Sequence, residues 1–491
     1  MPSPGLIDAF ATQSLNQPER VALVLAERQL TYRQLSDRAE HFTAELEALG
    51  LGRDQPLCIP AHKTPETIAL LIGAFRAGYS VLAPSPELGN ESLETLCAQA
   101  RCSRVLTADQ EGLHATDVAQ NAQAAEGFSQ VDPTAAKLLL TTSGSTGAPK
   151  IVPIPGTALD RFADWATDYF HLTDADTALS YAPLNFDLSL LDVWVFLGLG
   201  ARVVLVEREL STDARHLRKL VTEQQITFVQ GVPMLYRLLT QGKAVYPDTR
   251  TVVFTGDALP QTLLRELGTA FPRSRFHNVF GCTETNDSFI HDVDPETTGP
   301  KIPIGRPLAG VKSLLLDGDG QVIDGPGTGE LLVSTPFQTT GYLQLARNEG
   351  VFVPAPDGGH EVFYRTGDIV TRDADGLHLL EGRTDFQVKV RGVRTNVQEV
   401  EGVLAAHPDV AEAVVVALPD PEAGYRLHAQ VTRRAGTSLT SLRLRSHSAQ
   451  ILPRHAIPSS VAVGDSPLPR TPTGKPDRNL IKADRQKGNT P

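Results

Sequence analysis

The sequence predicts an α/β protein: a large N-terminal domain of helix-covered sheets with a small β subdomain, and a small α+β C-terminal domain. Three observations carry this expectation. From residue 21 to about residue 279, short apolar runs alternate with amphipathic stretches, the pattern of parallel strands joined by crossover helices. From about Gly305 to Leu380 the texture changes to frequent glycines and short apolar runs, which fits a smaller, twisted β unit. Beyond Gly382-Arg383-Thr384-Asp385 about a hundred residues remain, enough for one small domain. The expected division is 1–384 and 385–491.

Val21–Leu25 reads as a strand, and Leu30-Thr31-Tyr32-Arg33-Gln34-Leu35 leads into a helix through Leu49. Thr64 fits a helix N-cap with Pro65 at the first helical position, and Ile68, Leu71, Ile72 and Phe75 share one face. Gly78 fits the end of that helix, and Ser80–Pro84 the strand after it. His114–Pro133 is poor in large apolar residues and is expected to be a surface connection. Strands are then expected at 202–206, 226–230 and 251–254, with helices at 213–223 and 261–270. The β subdomain should use Val311–Leu316, Gly329–Val333 and Leu377–Leu380. Asp317-Gly318-Asp319-Gly320 lacks the ligand series and closing glutamate of a calcium loop, and reads as a hairpin turn. In the last domain a strand at 387–390 precedes a helix opened by Asn396 and Glu399 at capping-box spacing. Strands at 413–417 and 427–431 and a helix with basic residues follow.

Composition excludes several classes. Hydrophobic content of 41% and charged content of 21% fit a soluble globular chain. A net charge of −12 argues against nucleic-acid binding. The four cysteines, Cys58, Cys97, Cys102 and Cys282, match no zinc spacing and require no disulfide. The start, Met1-Pro2-Ser3-Pro4, is unlike a signal peptide, and no apolar run reaches the ~18–20 residues of a membrane span. The expectation is a cytoplasmic enzyme with no membrane or nucleic-acid partner.

The chemistry starts after Leu138-Leu139-Leu140. There Thr142, Ser143, Ser145 and Thr146 are interleaved with Gly144 and Gly147, and Lys150 closes the run. Glycines let the backbone approach a ligand, successive N–H groups form an anion nest, and hydroxyls add donors. Such a loop holds phosphate, but it is not a Walker A loop, because Pro149 separates the last glycine region from the lysine and Ile151 follows. A flexible linker is disfavoured by the apolar runs on both sides. Asn278-Val279-Phe280-Gly281-Cys282-Thr283-Glu284 places a carboxylate after a strand end, where a bridging Mg²⁺ would reconcile it with phosphate. In Tyr364-Arg365-Thr366-Gly367-Asp368 an aspartate after a tight turn suits ribose hydroxyls. Alone, Glu284 is as well read as a solvated turn residue, and Asp368 is better read as one. Lys475, in Pro469-Arg470-Thr471-Pro472-Thr473-Gly474-Lys475, taken alone reads far better as an ordinary surface lysine.

Taken in order, TSGSTGAPK, NVFGCTE, YRTGD, GRTDFQVKVRG and PTGK, with weaker matches at LTYRQL, AGYSVLAP, GELLV and LPRHAIP, resemble the adenylate-forming superfamily. The resemblance spans nearly the whole chain and is nearest to stand-alone amino-acid adenylation enzymes of nonribosomal-peptide type. It implies a mobile C-terminal domain turning about a hinge at Asp385. It implies two reactions: a carboxylate joins ATP to give an acyl-adenylate and pyrophosphate, and the acyl group then passes to a thiol. By the same resemblance Thr142, Ser143, Gly144, Ser145, Thr146, Gly147 and Lys150 hold the β,γ-phosphates. Glu284 is the Mg²⁺ site, with Thr283 beside it. Gly256, Val279 and Phe280 wall the adenine pocket, Asp368 and Arg383 contact ribose and phosphate, and Lys475 bridges the substrate carboxylate and the α-phosphate. Lys475, Glu284 and Thr142 are the implied catalytic residues.

Phe186-Asp187-Leu188-Ser189 matches the position where amino-acid-activating members set an aspartate against the α-ammonium; a helix N-cap is the plain alternative for Asp187. Leu188, Leu191, Gln230, Val253, Thr255, Gly281, Asp287 and Ser288 would then line the substrate pocket. Its polar members point to a small or polar amino acid. Prolyl- and D-alanyl-carrier protein ligases are the alternative within the class, and an acyl- or aryl-CoA ligase is disfavoured by Asp187. A catalytically silent nucleotide-binding protein is disfavoured by Lys475, Glu284 and Asp368. Because the sequence stops soon after Lys475, the expected thiol is the phosphopantetheine of a separate carrier protein. Arg433, Arg434, Arg443, Arg445 and Arg454 are candidates to meet that acidic partner. Cys282 and Phe280 stand where the family commonly has proline and tyrosine.

Overall fold

The computed structural model describes residues 5–118, 125–132, 136–142, 149–299, 301–355, 358–383, 387–420, 423–434, 436–470 and 476–487. The chain divides into two compact units. The larger comprises Met1–Pro86, Cys97–Thr141 and Ile151–Thr384; the smaller comprises Glu87–Leu96, Thr142–Lys150 and Asp385–Pro491. No helix among the described residues is long and apolar enough to cross a membrane.

The larger unit is organised on a sheet whose described strands run in the order Arg306–Pro307, Asn286–Val293, Arg275–Cys282, Thr251–Thr255, Phe228–Gly231, Thr177–Ser180, Arg202–Leu205, Val21–Leu25, Arg28–Thr31. Its central pairs are parallel. Strands covered on both faces are apolar throughout rather than alternating, and Val252, Val253 and Phe254 are accordingly 0–1% exposed. Gly231 pairs with Phe254, and Thr255 with Val279. The carboxyl ends of three adjacent strands therefore lie side by side, the edge where open parallel sheets take ligands.

Local signals set the helices that cover this frame. Thr31 and Gln34 form a reciprocal capping box at the start of Tyr32–Ala48. Thr64 accepts from the Thr67 N–H, and Pro65 opens Pro65–Arg76. That helix is buried on almost every side, as an apolar helix inside a layered domain must be. A Cβ on Gly73 would stand 2.7 Å from the Ala39 carbonyl oxygen, so this glycine permits the close approach of the two helices.

A second sheet contains Leu57–Cys58, Val81–Leu82 and Ala136–Thr142 in parallel, with Arg104–Ala108 next to Leu57–Cys58. Here one expectation fails. The start of the supposed surface connection, from His114, belongs to the edge strand Leu113–Asp117, paired antiparallel with Arg104–Ala108. Four of its five residues are exposed, so it carries no buried alternation to announce it.

The β subdomain is the sheet Lys312–Leu316, Gly327–Ser334, Val362–Arg372 and Phe352–Pro354, with His378–Arg383 also on Val362–Arg372. Asp317 turns the first hairpin, its Oδ1 accepting from the N–H groups of Asp319 and Gln321 at 2.9 and 2.8 Å. The smaller unit pairs Val393–Asn396, Gln387–Val390, Gly424–Arg433 and Val410–Asp420 in that order, with Ser460–Gly464 beside Gly424–Arg433. The Asn396 side chain caps Val397–Ala405, whose Val400 and Leu404 pack with Val415, Leu427 and Leu444. The mixed α/β class, with a large N-terminal domain and a small C-terminal one, is as expected.

Candidate active site

Glu284 sits in the turn between Arg275–Cys282 and its antiparallel return Asn286–Val293. The register passes from Phe280↔Phe289 to Gly281↔Asp287, so Ser288 is the extra residue of a β-bulge. Bulges re-aim side chains beside sites. Gly281 is required by this geometry, since a Cβ there would stand 2.2 Å from the Asn286 carbonyl oxygen. The Glu284 carboxylate is 1% exposed. Tyr342 donates its hydroxyl hydrogen to Glu284 Oε1 at 2.6 Å, and the Tyr364 hydroxyl lies 3.4 Å from that of Tyr342. The Glu284 carbonyl accepts from the Thr339 N–H at 2.9 Å. A buried carboxylate needs such a donor, and the Tyr342 hydroxyl orients it. Val279 and Phe280 are buried on the preceding strand, Thr283 is half-buried in the turn, and Gly256 follows Thr255 with φ +82°.

Asp368 and Arg383 face each other directly across Val362–Arg372 and His378–Arg383. Arg383 Nη1 donates to Asp368 Oδ1 at 2.5 Å, and Nη2 donates to the Thr366 carbonyl at 2.7 Å. The Asp368 N–H donates to Thr366 Oγ1 at 3.0 Å, and Gly367 turns with φ +72°. Two residues expected to meet a nucleotide are thus one charge-assisted pair, with the aspartate's position fixed by the arginine.

Asp187 lies in a tight turn in which Ser189 Oγ donates to the Phe186 carbonyl at 2.7 Å or to the Leu184 carbonyl at 3.0 Å. The π-helix Leu190–Val195 follows, with Ser189 rather than Asp187 as its flanking residue and no side-chain cap. The N-cap reading of Asp187 is therefore set aside. Leu191 and Val253 are each 1% exposed, and Thr255 is 7% exposed. Gln230 donates from Nε2 to the Leu188 carbonyl at 3.0 Å. Ser288 donates to Thr285 Oγ1 at 3.0 Å or to the Asn286 carbonyl at 3.2 Å. The hydrogen-bonding capacity of these two residues is partly used inside the protein, which weakens their weight as evidence for a polar substrate side chain. Asp287 differs: burial, and then the negative charge of Asp187, push its carboxyl up to about 7. The charge of Asp187 therefore reaches Asp287.

Thr142 ends Ala136–Thr142 and Lys150 begins Lys150–Pro155. The Thr142 hydroxyl is buried and has no hydrogen-bond partner among the described residues, which suits an acceptor brought by a phosphate ligand. Ser143, Gly144, Ser145, Thr146, Gly147, Asp385 and Lys475 lie outside the described residues. Tyr342 is the functional residue that sequence reasoning missed. It is 58 positions from Glu284 and no motif spacing marks it.

Residues 10–343 match the AMP-binding enzyme family, and residues 399–475 match the AMP-binding enzyme C-terminal domain. The chain belongs to the AMP-binding enzyme family. It is an adenylate-forming ligase. It is 33% identical to an L-proline–[L-prolyl-carrier protein] ligase of Pseudomonas fluorescens, over 94% of this chain and 95% of that one. It is 30% identical to tyrocidine synthase 3 of Brevibacillus parabrevis over 97% of its own length, and spans only 8% of that synthase. The fold is shared with the Vibrio cholerae adenylation domain AlmE, solved with glycyl-adenosine-5′-phosphate, at a TM-score of 0.84 and 20% identity over 98% of both chains. As a member of this family the chain has its acidic turn, its Asp368–Arg383 pair and its Asp187 turn inside the matched region or the strands that follow it.

Proposed function

We propose that this enzyme activates a small or polar α-amino acid as the aminoacyl-adenylate and passes it to the phosphopantetheine thiol of a separate carrier protein, in nonribosomal-peptide or related biosynthesis. The observation that carries the amino-acid reading is Asp187, whose negative charge reaches the buried carboxyl of Asp287. Two carboxylates in a partly buried space are costly together, and an ammonium group relieves that cost. A CoA-type acid without an amine does not.

In the first step an oxygen of the substrate carboxylate bonds to the α-phosphorus of ATP, the bond from that phosphorus to the bridging oxygen breaks, and pyrophosphate leaves. In the second a thiol sulfur bonds to the acyl carbon, and AMP departs with the former carboxylate oxygen. Thr142, Ser143, Gly144, Ser145, Thr146, Gly147 and Lys150 are assigned to the departing phosphates, Gly256, Val279 and Phe280 to adenine, and Asp368, oriented by Arg383, to the ribose. Glu284 fits a divalent ion, being a hard oxygen donor held by Tyr342; bound there, Mg²⁺ would neutralise phosphate charge. Lys475 is assigned to the two anions that meet in the first step, where a preorganised cation offsets their repulsion, and Asp385 to the hinge.

Proline is a second reading with an observation of its own, the 33% identity to a prolyl-carrier protein ligase. A secondary ammonium has two N–H donors, one for each of Asp187 and Asp287. Pyrophosphate exchange over a panel of amino acids, including proline and D-alanine, and of acids lacking an amine tests the proposal. Exchange confined to small or polar amino acids is expected, and exchange confined to amine-free acids overturns it. In the same assay Lys475→Ala should lose on the order of 10²–10³ in rate while still binding ATP, and an unchanged rate would refute its assigned role.

A further inference from the structure

The helical segment next to the substrate turn contains a charge that the mechanism above does not use. Asp192 is the third residue of the π-helix Leu190–Val195 and is 0% exposed. Neither of its carboxylate oxygens makes a hydrogen bond among the described residues, and neither does the buried hydroxyl of Ser180. Ser180 Oγ and the Tyr181 N–H nevertheless lie near enough to favour the charged carboxylate. The cation whose charge acts on Asp192 is Lys63, from the segment just before Pro65–Arg76, at more than ion-pair contact distance. Lys63 Nζ donates to the Ser180 carbonyl at 2.7 Å, at the end of the strand Thr177–Ser180. Burial pulls the Lys63 ammonium down to about 8 and pushes the Asp192 carboxyl up to about 7, while each charge opposes the shift of the other.

A buried lysine and a buried aspartate are each expensive alone. Lys63 joins the approach to Pro65–Arg76 to the end of Thr177–Ser180 by a hydrogen bond, and acts on the π-helix through the charge of Asp192. A π-helix is rare and is found frequently at functional sites. This one follows directly on Asp187, whose carbonyl accepts from Leu190, the first residue of the π-helix, at 2.9 Å. It also carries Leu191. We propose that Lys63 is a positioning residue for the amino-acid site: through Asp192 it holds the π-helix in register, and so aims Asp187 and Leu191. The claim about substrate rests on the amino-acid reading above. The claim about the helix does not.

The test uses the full-length enzyme with Lys63→Met, Asp192→Asn and the double variant Lys63→Met/Asp192→Leu. Lys63→Met should raise the KM of the exchanging amino acid about tenfold and leave that of ATP within about twofold. The double variant, with no unpaired buried charge, should return to within about threefold of wild type. Hydrogen exchange of backbone amides over 186–196 should be about tenfold faster in Lys63→Met, with Val362–Arg372 unchanged. Equal changes in both KM values, no recovery in the double variant, or unaltered exchange over 186–196 overturns the proposal. If Lys63→Met does not fold, Asp192→Asn carries the same readouts with the side-chain shape kept. Absence of pyrophosphate exchange with every amino acid in the wild type would sink the amino-acid reading, while amide exchange would still decide the positioning role.

Discussion

Replacing Asp287 by Asn separates a paired-carboxylate pocket from an ordinary polar turn. Asp287 is raised from an ordinary 3.8 to about 7 by burial and by Asp187. Between those pH values the folded protein holds a proton that the unfolded chain has released. Unfolding free energy therefore falls as pH rises through that window and is level above it. A shift of about three units corresponds to at most about 4 kcal/mol, and the partial exposure of Asp287 reduces the expected effect to about 2–3 kcal/mol. Asp287→Asn abolishes the titration. Thermal unfolding of wild type and variant from pH 5 to pH 8 should show the variant gaining about 3 °C on the wild type across that range, on the per-residue entropy of a chain this long. The gain should be concentrated below pH 7. Parallel curves for the two proteins, with a constant offset, would refute the reach of the Asp187 charge to Asp287.

Tyr342→Phe removes the donor to Glu284 and should raise the Mg²⁺ concentration for half-maximal exchange about tenfold or more; an unchanged Mg²⁺ titration would show that Glu284 needs no such orientation. Gly281→Ala should lower the melting temperature and reduce exchange together, because the added methyl meets the Asn286 carbonyl oxygen at 2.2 Å; a variant of wild-type stability would mean that the bulge relaxes freely. In the smaller unit Arg433 pairs with Asp465 and Arg434 donates to the Val410 carbonyl, while Arg443 and Arg445 are exposed on Ser441–Ile451. Arg443→Glu/Arg445→Glu should therefore slow loading of an acidic carrier and flatten its salt dependence, leaving amino-acid exchange unchanged; loading that keeps its rate and salt dependence removes these two arginines from the carrier surface.

What the sequence by itself determined is the class of chemistry and most of the elements. Local causes set Thr64 before Pro65–Arg76, Asn396 before Val397–Ala405 and Gln261–Ala270 with its own apolar face, and local causes are written in neighbouring residues. The edge strand Leu113–Asp117 escapes a reading of the sequence because its faces are solvated and only its pairing makes it a strand. The ordered motifs named Glu284, Asp368 and Arg383, but not what holds them. Only the tertiary structure decided that Asp368 and Arg383 are one pair, that Tyr342 orients Glu284, that Gln230 and Ser288 use part of their polarity on the protein itself, and that Asp187 feels Asp287 and Lys63 feels Asp192. Each of these is a contact or charge coupling between residues 15 to 129 positions apart, or, for Ser288, a consequence of a one-residue bulge. Periodicity and spacing report on neighbours along the chain. The orientation of a buried charge is set by whatever the fold brings against it.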